Sequence, residues 1–279
     1  MNENSSAAPR RWFITGANSG FGLAFAHAAL AAGDEVVAAA RRPETLAGLA
    51  AAHPGRVTVV ELDVRDADGR TRAIEAAGRI DVLVNNAGYG ILGAFEEIND
   101  AELRDAFEVM FFGAVALTRQ VLPQMRARRS GTIVQISSMG GLLSFPGVGS
   151  YSAAKGALEL ASEALAAEVA PLGVKVLIVE PGAFRTGFAA PSALRPAASR
   201  IADYASTSGA TRETLANSHG SQEGDPAKAA AAVLEVLDWP EPPLRLALGD
   251  DAVDAIRAKL AAVSADLDAT ERLGRGMGV

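Results

Sequence analysis

The 279-residue chain has no cysteine, only three histidines, and aromatic side chains at just 5%. Without cysteine there can be no disulfide framework, no thiolate metal site and no cysteine nucleophile, and the absence is compatible with a reducing compartment. His27, His53 and His219 are scattered without ligand spacing, so no histidine metal centre is expected. Positive charge is also short. Twenty-six Lys and Arg face 33 Asp and Glu, a net charge of -7 that argues against a nucleic-acid or anionic-membrane partner. The start lacks the basic and apolar regions of a secretory signal, and no later apolar run reads as long enough for a membrane span. A soluble, cytoplasmic protein is therefore expected.

Apolar residues, by contrast, make up 49% of the chain against 21% charged, enough for one large core. The expected layout is a disordered tail over 1–10, one domain over 11–250, and a C-terminal helical extension of that domain over 251–279. Short apolar runs at 12–14, 35–40, 57–62, 81–84, 132–136, 174–179 and 244–248 read as buried strands. Alanine-rich stretches between them, notably 100–128 and 152–170, read as helices. This alternation predicts an α/β, Rossmann-type doubly wound fold with a seven-stranded parallel sheet and helices on both faces. In such sheets ligands bind beyond the carboxyl ends of the strands, which is where Gly16, Asn86, Ser138 and Pro181 fall.

Three side chains carry the strongest chemical signal. Tyr151 and Lys155 are four positions apart, so on a helix they share a face, and Ser138 ends an apolar run upstream. A cation beside a phenol favours the phenolate and brings the tyrosine closer to proton exchange. Ser138 would hydrogen-bond a substrate oxygen. Near the N-terminus, an apolar run leads into Thr15-Gly16-Ala17-Asn18-Ser19-Gly20-Phe21-Gly22 and then an alanine-rich helical stretch. Strand, glycine turn and helix form a phosphate cradle, with glycines for the tight turn and helix amides for the negative charge.

With these motifs in one chain, residues 12–249 resemble the short-chain dehydrogenase/reductase family. Residues 15–22 look like its glycine motif, Asn85-Asn86-Ala87-Gly88 like its strand-four motif, and Ser138, Tyr151 and Lys155 like its catalytic residues. Pro181-Gly182-Ala183-Phe184-Arg185-Thr186 is similar to the segment that closes over the nicotinamide. The resemblance implies that Asp63 and Val64 flank the adenine and that Asn86, with Ala87 and Gly88, lines the adenosine ribose. It also implies that Phe184 and Thr186 hold the carboxamide, and that Lys155 holds the nicotinamide ribose and lowers the tyrosine pKa. At the end of the second strand Ala40-Arg41-Arg42 offers no carboxylate to repel a 2′-phosphate, and Arg41 could clamp one, so NADP(H) is favoured over NAD(H).

The activity implied is hydride transfer between NADP(H) and a carbonyl or secondary alcohol. One position departs from the family's pattern. Where an asparagine usually follows the valine, this chain has Met110, whose thioether cannot copy an amide's bonds. Two readings stand: a tolerated substitution in a working reductase, or a cofactor-binding protein with attenuated or non-redox activity such as cyclisation, isomerisation or regulation. Between 187 and 226 the composition is irregular, and Pro191, Pro196, Gly209, Gly220 and Gly224 interrupt any long helix, as in a mobile substrate lid. Tyr89, Met139, Leu142, Leu143, Phe145, Phe184 and Phe188 are the expected pocket neighbours, pointing to a bulky, mostly apolar small-molecule substrate. The resemblance further implies a homodimer or homotetramer.

Overall fold

The computed structural model describes residues 8–190 and 193–278; most of the expected N-terminal tail lies outside them. Its strands are β1 (Arg11–Thr15), β2 (Glu35–Ala40), β3 (Val57–Glu61), β4 (Val82–Asn85), β5 (Gly90–Leu92), β6 (Gly131–Ile136), β7 (Val174–Pro181), β8 (Leu194–Pro196) and β9 (Arg245–Leu248). The helices are α1 (Gly20–Ala31), α2 (Ala47–Ala52), α3 (Ala67–Ala77), α4 (Asp100–Phe107), α5 (Gly113–Arg128), α6 (Gly149–Val169), α7 (Ala210–Asn217), α8 (Pro226–Leu237) and α9 (Asp250–Arg275). Seven strands form one parallel sheet in the order β3-β2-β1-β4-β6-β7-β9, as the apolar runs predict.

Both faces of the sheet are buried, which is why the strands read as near-continuous apolar runs. Alternation along β1 divides the core. Trp12 and Ile14 pack with Phe25, Leu30, Val233 and Leu237 on one face, while Phe13 packs with Leu117, Val121, Met125 and Ile133 on the other. Helix starts are set locally. Asp66 caps α3 by accepting from the Asp68 amide at 3.1 Å, Asn99 and Glu102 form a capping box on α4, and Asp225 precedes Pro226 at the start of α8.

The expected helix over 100–128 is interrupted. A π-helical turn, Glu108–Phe112, separates α4 from α5 and contains Met110, which is 1% exposed. Against the sequence reading, the run Asp100–Arg128 has the length and mean hydropathy, 1.2, that a membrane span needs. Leu117, Val121 and Met125 are buried against the sheet, which is how a core helix uses such residues.

The segment expected to be an irregular lid contains β8, the eight-residue α7 and short turns. Strand β8 pairs in parallel with β5, with Gly90 opposite Leu194. Glu97, 3% exposed, pins the same segment by accepting from the Ile201 amide at 2.8 Å and from Arg212 Nη2 at 2.8 Å. At the C-terminus, Ala252 and Ile256 of α9 are buried, while every described residue from 257 to 278 is exposed.

Candidate functional site

The glycine turn is shaped by contacts that leave no room for side chains. Gly16 has φ +65, in the region that favours glycine. A Cβ on Gly22 would collide with the Gly16 carbonyl and lie 2.6 Å from Asn86 Nδ2. Ser19 occupies the N-cap of α1 without a side-chain cap bond, so its exposed hydroxyl and the first-turn amides remain free to meet an anion. Asn18 is half-buried beside it, and Phe21 packs on Phe25 at 6.2 Å between ring centroids.

The end of β4 is tied to this turn by side chains rather than by sheet bonds alone. Thr15 Oγ1 accepts from the Asn86 and Ala87 amides, each at 2.9 Å. Asn86 Nδ2 donates to the Thr15 carbonyl at 2.8 Å and the Gly16 carbonyl at 3.3 Å. The Asn86 side chain thus braces the glycine turn. Asn85, fully in the interior, donates to Gln135 Oε1 at 3.0 Å and Thr118 Oγ1 at 3.1 Å.

Ser138, Tyr151 and Lys155 converge where β6 ends and α6 begins. A Cβ on Gly140 would lie 3.4 Å from both Ser138 Oγ and Tyr151 Cε1. Ser138 Oγ accepts from the Gly140 amide at 3.0 Å and donates to the Pro181 carbonyl at 3.5 Å. Lys155, 4% exposed, donates from Nζ to the Ile136 carbonyl at 2.7 Å, and the same Nζ is 5.9 Å from the Tyr151 ring centroid. Gly88 faces both Met110 and Lys155: a Cβ there would lie 3.7 Å from Lys155 Nζ and 3.7 Å from Met110 Sδ.

Burial sets the electrostatics of the site. Burial pushes the Tyr151 phenol up to about 12; the Ser138 side chain pulls it down and the charge of Glu159 adds to the rise. Burial likewise lowers the Lys155 ammonium to about 8, against a raising effect of Glu159.

Segment 181–186 folds across the glycine turn. Phe184 packs on Phe21 with centroids 5.1 Å apart, and a Cβ on Gly20 would lie 3.3 Å from Thr186 Cβ. Thr186 Oγ1 also accepts from the Phe188 amide at 3.2 Å. Asp251, at the start of α9, holds this segment by accepting from the Ala183 amide at 2.7 Å. No local motif marks that aspartate in the sequence.

At the other end of the cleft Arg41 is exposed, and its charge helps to lower the Asp63 carboxyl. Asp63 is gripped by Arg65, Nε to Oδ1 at 3.0 Å and Nη2 to Oδ2 at 2.7 Å, which holds its carboxyl below the usual range. Val64, expected beside the adenine, has its side chain in the core against Gly113. Tyr89 has its ring in an apolar cluster with Ile91, Met110 and Ala154 that packs against Tyr151, and its hydroxyl reaches out of it. Its hydroxyl donates to Asp105 Oδ2 at 2.7 Å, its ring lies 4.1 Å from the Arg195 guanidinium, and Arg65 joins the same carboxylate at 2.7 Å. Phe188 does flank the site, 5.6 Å from the Tyr151 ring.

Comparison with known proteins bears on family and fold. The family model described as short chain dehydrogenase matches residues 10–196. Oxidoreductase BOA17 of Botryotinia fuckeliana is 44% identical over 87% of this chain and 90% of its own. A 3-ketodihydrosphingosine reductase of Bacteroides thetaiotaomicron is 36% identical over 86% and 88% respectively. The crystal structure of a short-chain dehydrogenase from Streptomyces avermitilis is 51% identical, covers 100% of both chains, and superposes with a TM-score of 0.91.

Proposed function

This chain belongs to the short chain dehydrogenase family of oxidoreductases, and from that premise we propose that it transfers a hydride between NADP(H) and a carbonyl or secondary alcohol on a bulky, mostly apolar substrate. The observation that carries this reading is the meeting of Ser138, Tyr151 and Lys155 beside a glycine turn that side chains cannot enter. NADP(H), when bound, supplies or accepts the hydride. The residues present fit it: Gly16 and Gly22 let the turn pack tightly at the start of α1, Ser19 and the α1 amides offer donors to a pyrophosphate, and Arg41 is exposed to take a 2′-phosphate.

Tyr151 exchanges the proton on the substrate oxygen. With the phenol raised to about 12 it is protonated near neutrality, the form that donates in the reductive direction. Ser138 hydrogen-bonds the same oxygen. Lys155 would hold the ribose hydroxyls of the bound cofactor, while its tie to the Ile136 carbonyl takes up one of its donors. Met110 fits the redox reading, because the π-helical turn it occupies is formed by the backbone, Gly113 N to Glu108 O, without an amide side chain.

For the substrate, Phe188 beside Tyr151 and half-buried Met139, Leu142 and Leu143 after Ser138 favour an apolar body next to the reacting oxygen. The similarity to a 3-ketodihydrosphingosine reductase supports long-chain ketones as first candidates. Assembly into a homo-oligomer is supported by exposed apolar side chains on the helices around Met110 and Tyr151, Phe112 at 51% and Leu160 at 68%.

The test is ultraviolet absorbance of NADPH, and separately NADH, with apolar aldehydes and ketones that include long-chain 3-ketones, using Tyr151→Phe as control. Tyrosine-dependent loss of NADPH is expected. Tight NADPH binding without oxidation by any substrate would favour the non-redox alternative, and equal use of NADH would remove the assignment of Arg41.

A further inference from the structure

A buried carboxylate underlies the site from the next turn of the same helix. Glu159 follows Lys155 by four positions on α6 and is 1% exposed. A charge this deep needs partners, and these come from the residue after β6 and from β9. Ser137, at the end of β6 and next to Ser138, donates its hydroxyl to Glu159 Oε1. Arg245 on β9 donates through Nη1 to both Glu159 Oε2 and Glu180 Oε1, and through Nη2 to Glu163. Glu180 lies on β7 immediately before Pro181, the residue whose carbonyl accepts from Ser138. The turn after Ser138 rests on the same group, since a Cβ on Gly141 would collide with Glu159 Oε1.

We propose that Glu159 is a positioning residue: its carboxylate clamps the end of β6 and, with Arg245, the strands β7 and β9 to α6, and so fixes Ser138 against Tyr151 and Lys155. It touches neither substrate nor cofactor and acts through Ser137, the neighbour of Ser138, and through Lys155. The charged and polar groups that face it are Lys155, Tyr151 and Glu163 on its own helix, Ser137, Glu180 and Arg245 from the strands. Its charge favours the protonated forms of both Tyr151 and Lys155, so the clamp is electrostatic as well as mechanical. The role of the site rests on the redox reading above; the clamp does not.

Three variants separate the contributions. Glu159→Gln keeps the shape and loses the charge, Glu159→Asp keeps the charge and withdraws the carboxylate, and Ser137→Ala removes one strand contact. Each is confirmed as folded by thermal unfolding and compared with the parent by hydrogen exchange over residues 137–142. The titration of Lys155, one of four lysines, is followed by side-chain NMR with Lys155→Met for assignment, and NADPH turnover is measured alongside. Faster exchange at 137–142 is expected in all three. In Glu159→Gln the Lys155 midpoint should fall by about half a unit or more, while in Glu159→Asp and Ser137→Ala it should stay near the parent value. Turnover should drop about tenfold or more in both Glu159 variants, with the cofactor KM within about threefold.

Unchanged exchange at 137–142 in folded Glu159 variants, or an unmoved Lys155 midpoint in Glu159→Gln, would overturn the proposal. If the parent shows no NADPH turnover, the redox reading fails while exchange and titration still decide the clamp. Should Glu159→Gln not fold, the exchange of Glu159→Asp and Ser137→Ala decides it instead.

Discussion

Lys155 donates from Nζ to the Ile136 carbonyl at 2.7 Å, so the helix that presents Tyr151 is bolted to the strand that ends beside Ser138. Burial holds this ammonium at about 8, below the ordinary 10.5. Between those two values the unfolded chain carries a proton that the folded chain has released, so this group's contribution to stability grows as pH rises from 8 to 10.5 and is lost as pH falls through 8. Thermal unfolding of the parent, relative to Lys155→Met, should therefore improve across that window. Parallel curves for the two proteins would show that the lysine is not desolvated in solution.

Removing the phenolic oxygen tests the proton step directly. Tyr151→Phe keeps the ring that packs at 5.6 Å on Phe188, so the fold and cofactor affinity should be retained. Turnover should fall by about a thousandfold, the range associated with losing a positioned acid or base. Steady-state kinetics with a parallel NADPH fluorescence titration distinguishes this from a binding defect, and turnover equal to the parent would remove Tyr151 from the mechanism.

Arg41 and Arg42 both follow β2, and both are exposed. Because Arg41 is exposed, Arg41→Ala should barely change stability while weakening NADPH by about tenfold to a hundredfold, the value of one or two charge-assisted bonds. NADH affinity should stay within about twofold. Isothermal titration of both cofactors against both proteins provides the check, and an equal loss for the two would assign Arg41 to something other than the 2′-phosphate.

Local patterns were legible in the sequence, and pairings across the fold were not. The run 35–40 marks β2 because a strand buried on both faces is apolar throughout, and the Tyr151–Lys155 spacing marks a shared helix face. Strands β5 and β8 left no such trace, being three residues each and including Gly90 and Pro196. The π-helical turn at Glu108–Phe112 was hidden inside a compositionally continuous helix. The further bonds of Asn86 and Tyr89 were hidden for a different reason. Asn86 bonds Thr15, 71 positions away, and Tyr89 carries Arg195 on its ring, so only the folded chain reveals that one braces a turn and the other belongs to an ion network. Glu159 carries no mark in the sequence either, because Ser137 and Arg245 reach it only in the folded chain.

Met110 decides between the two readings of the site, and its environment predicts the outcome of restoring an amide. The side chain is 1% exposed and packs in a small cluster with Tyr89, Ile91, Ala106 and Ala154. Met110→Asn would bring a polar group into that cluster and remove volume from it, a loss of about 1–3 kcal/mol for the unsatisfied amide, with the packing defect in addition. The melting temperature should fall accordingly. Since the backbone already makes the π-helical turn, the amide has little geometry left to supply, and kcat should remain within about threefold of the parent. Met110→Leu, which conserves volume, serves as the packing control and should lose less than about 1.5 kcal/mol. A rate increase of tenfold or more in Met110→Asn, absent in Met110→Leu, would mean that the thioether holds the native site in an attenuated state and would favour the non-redox reading.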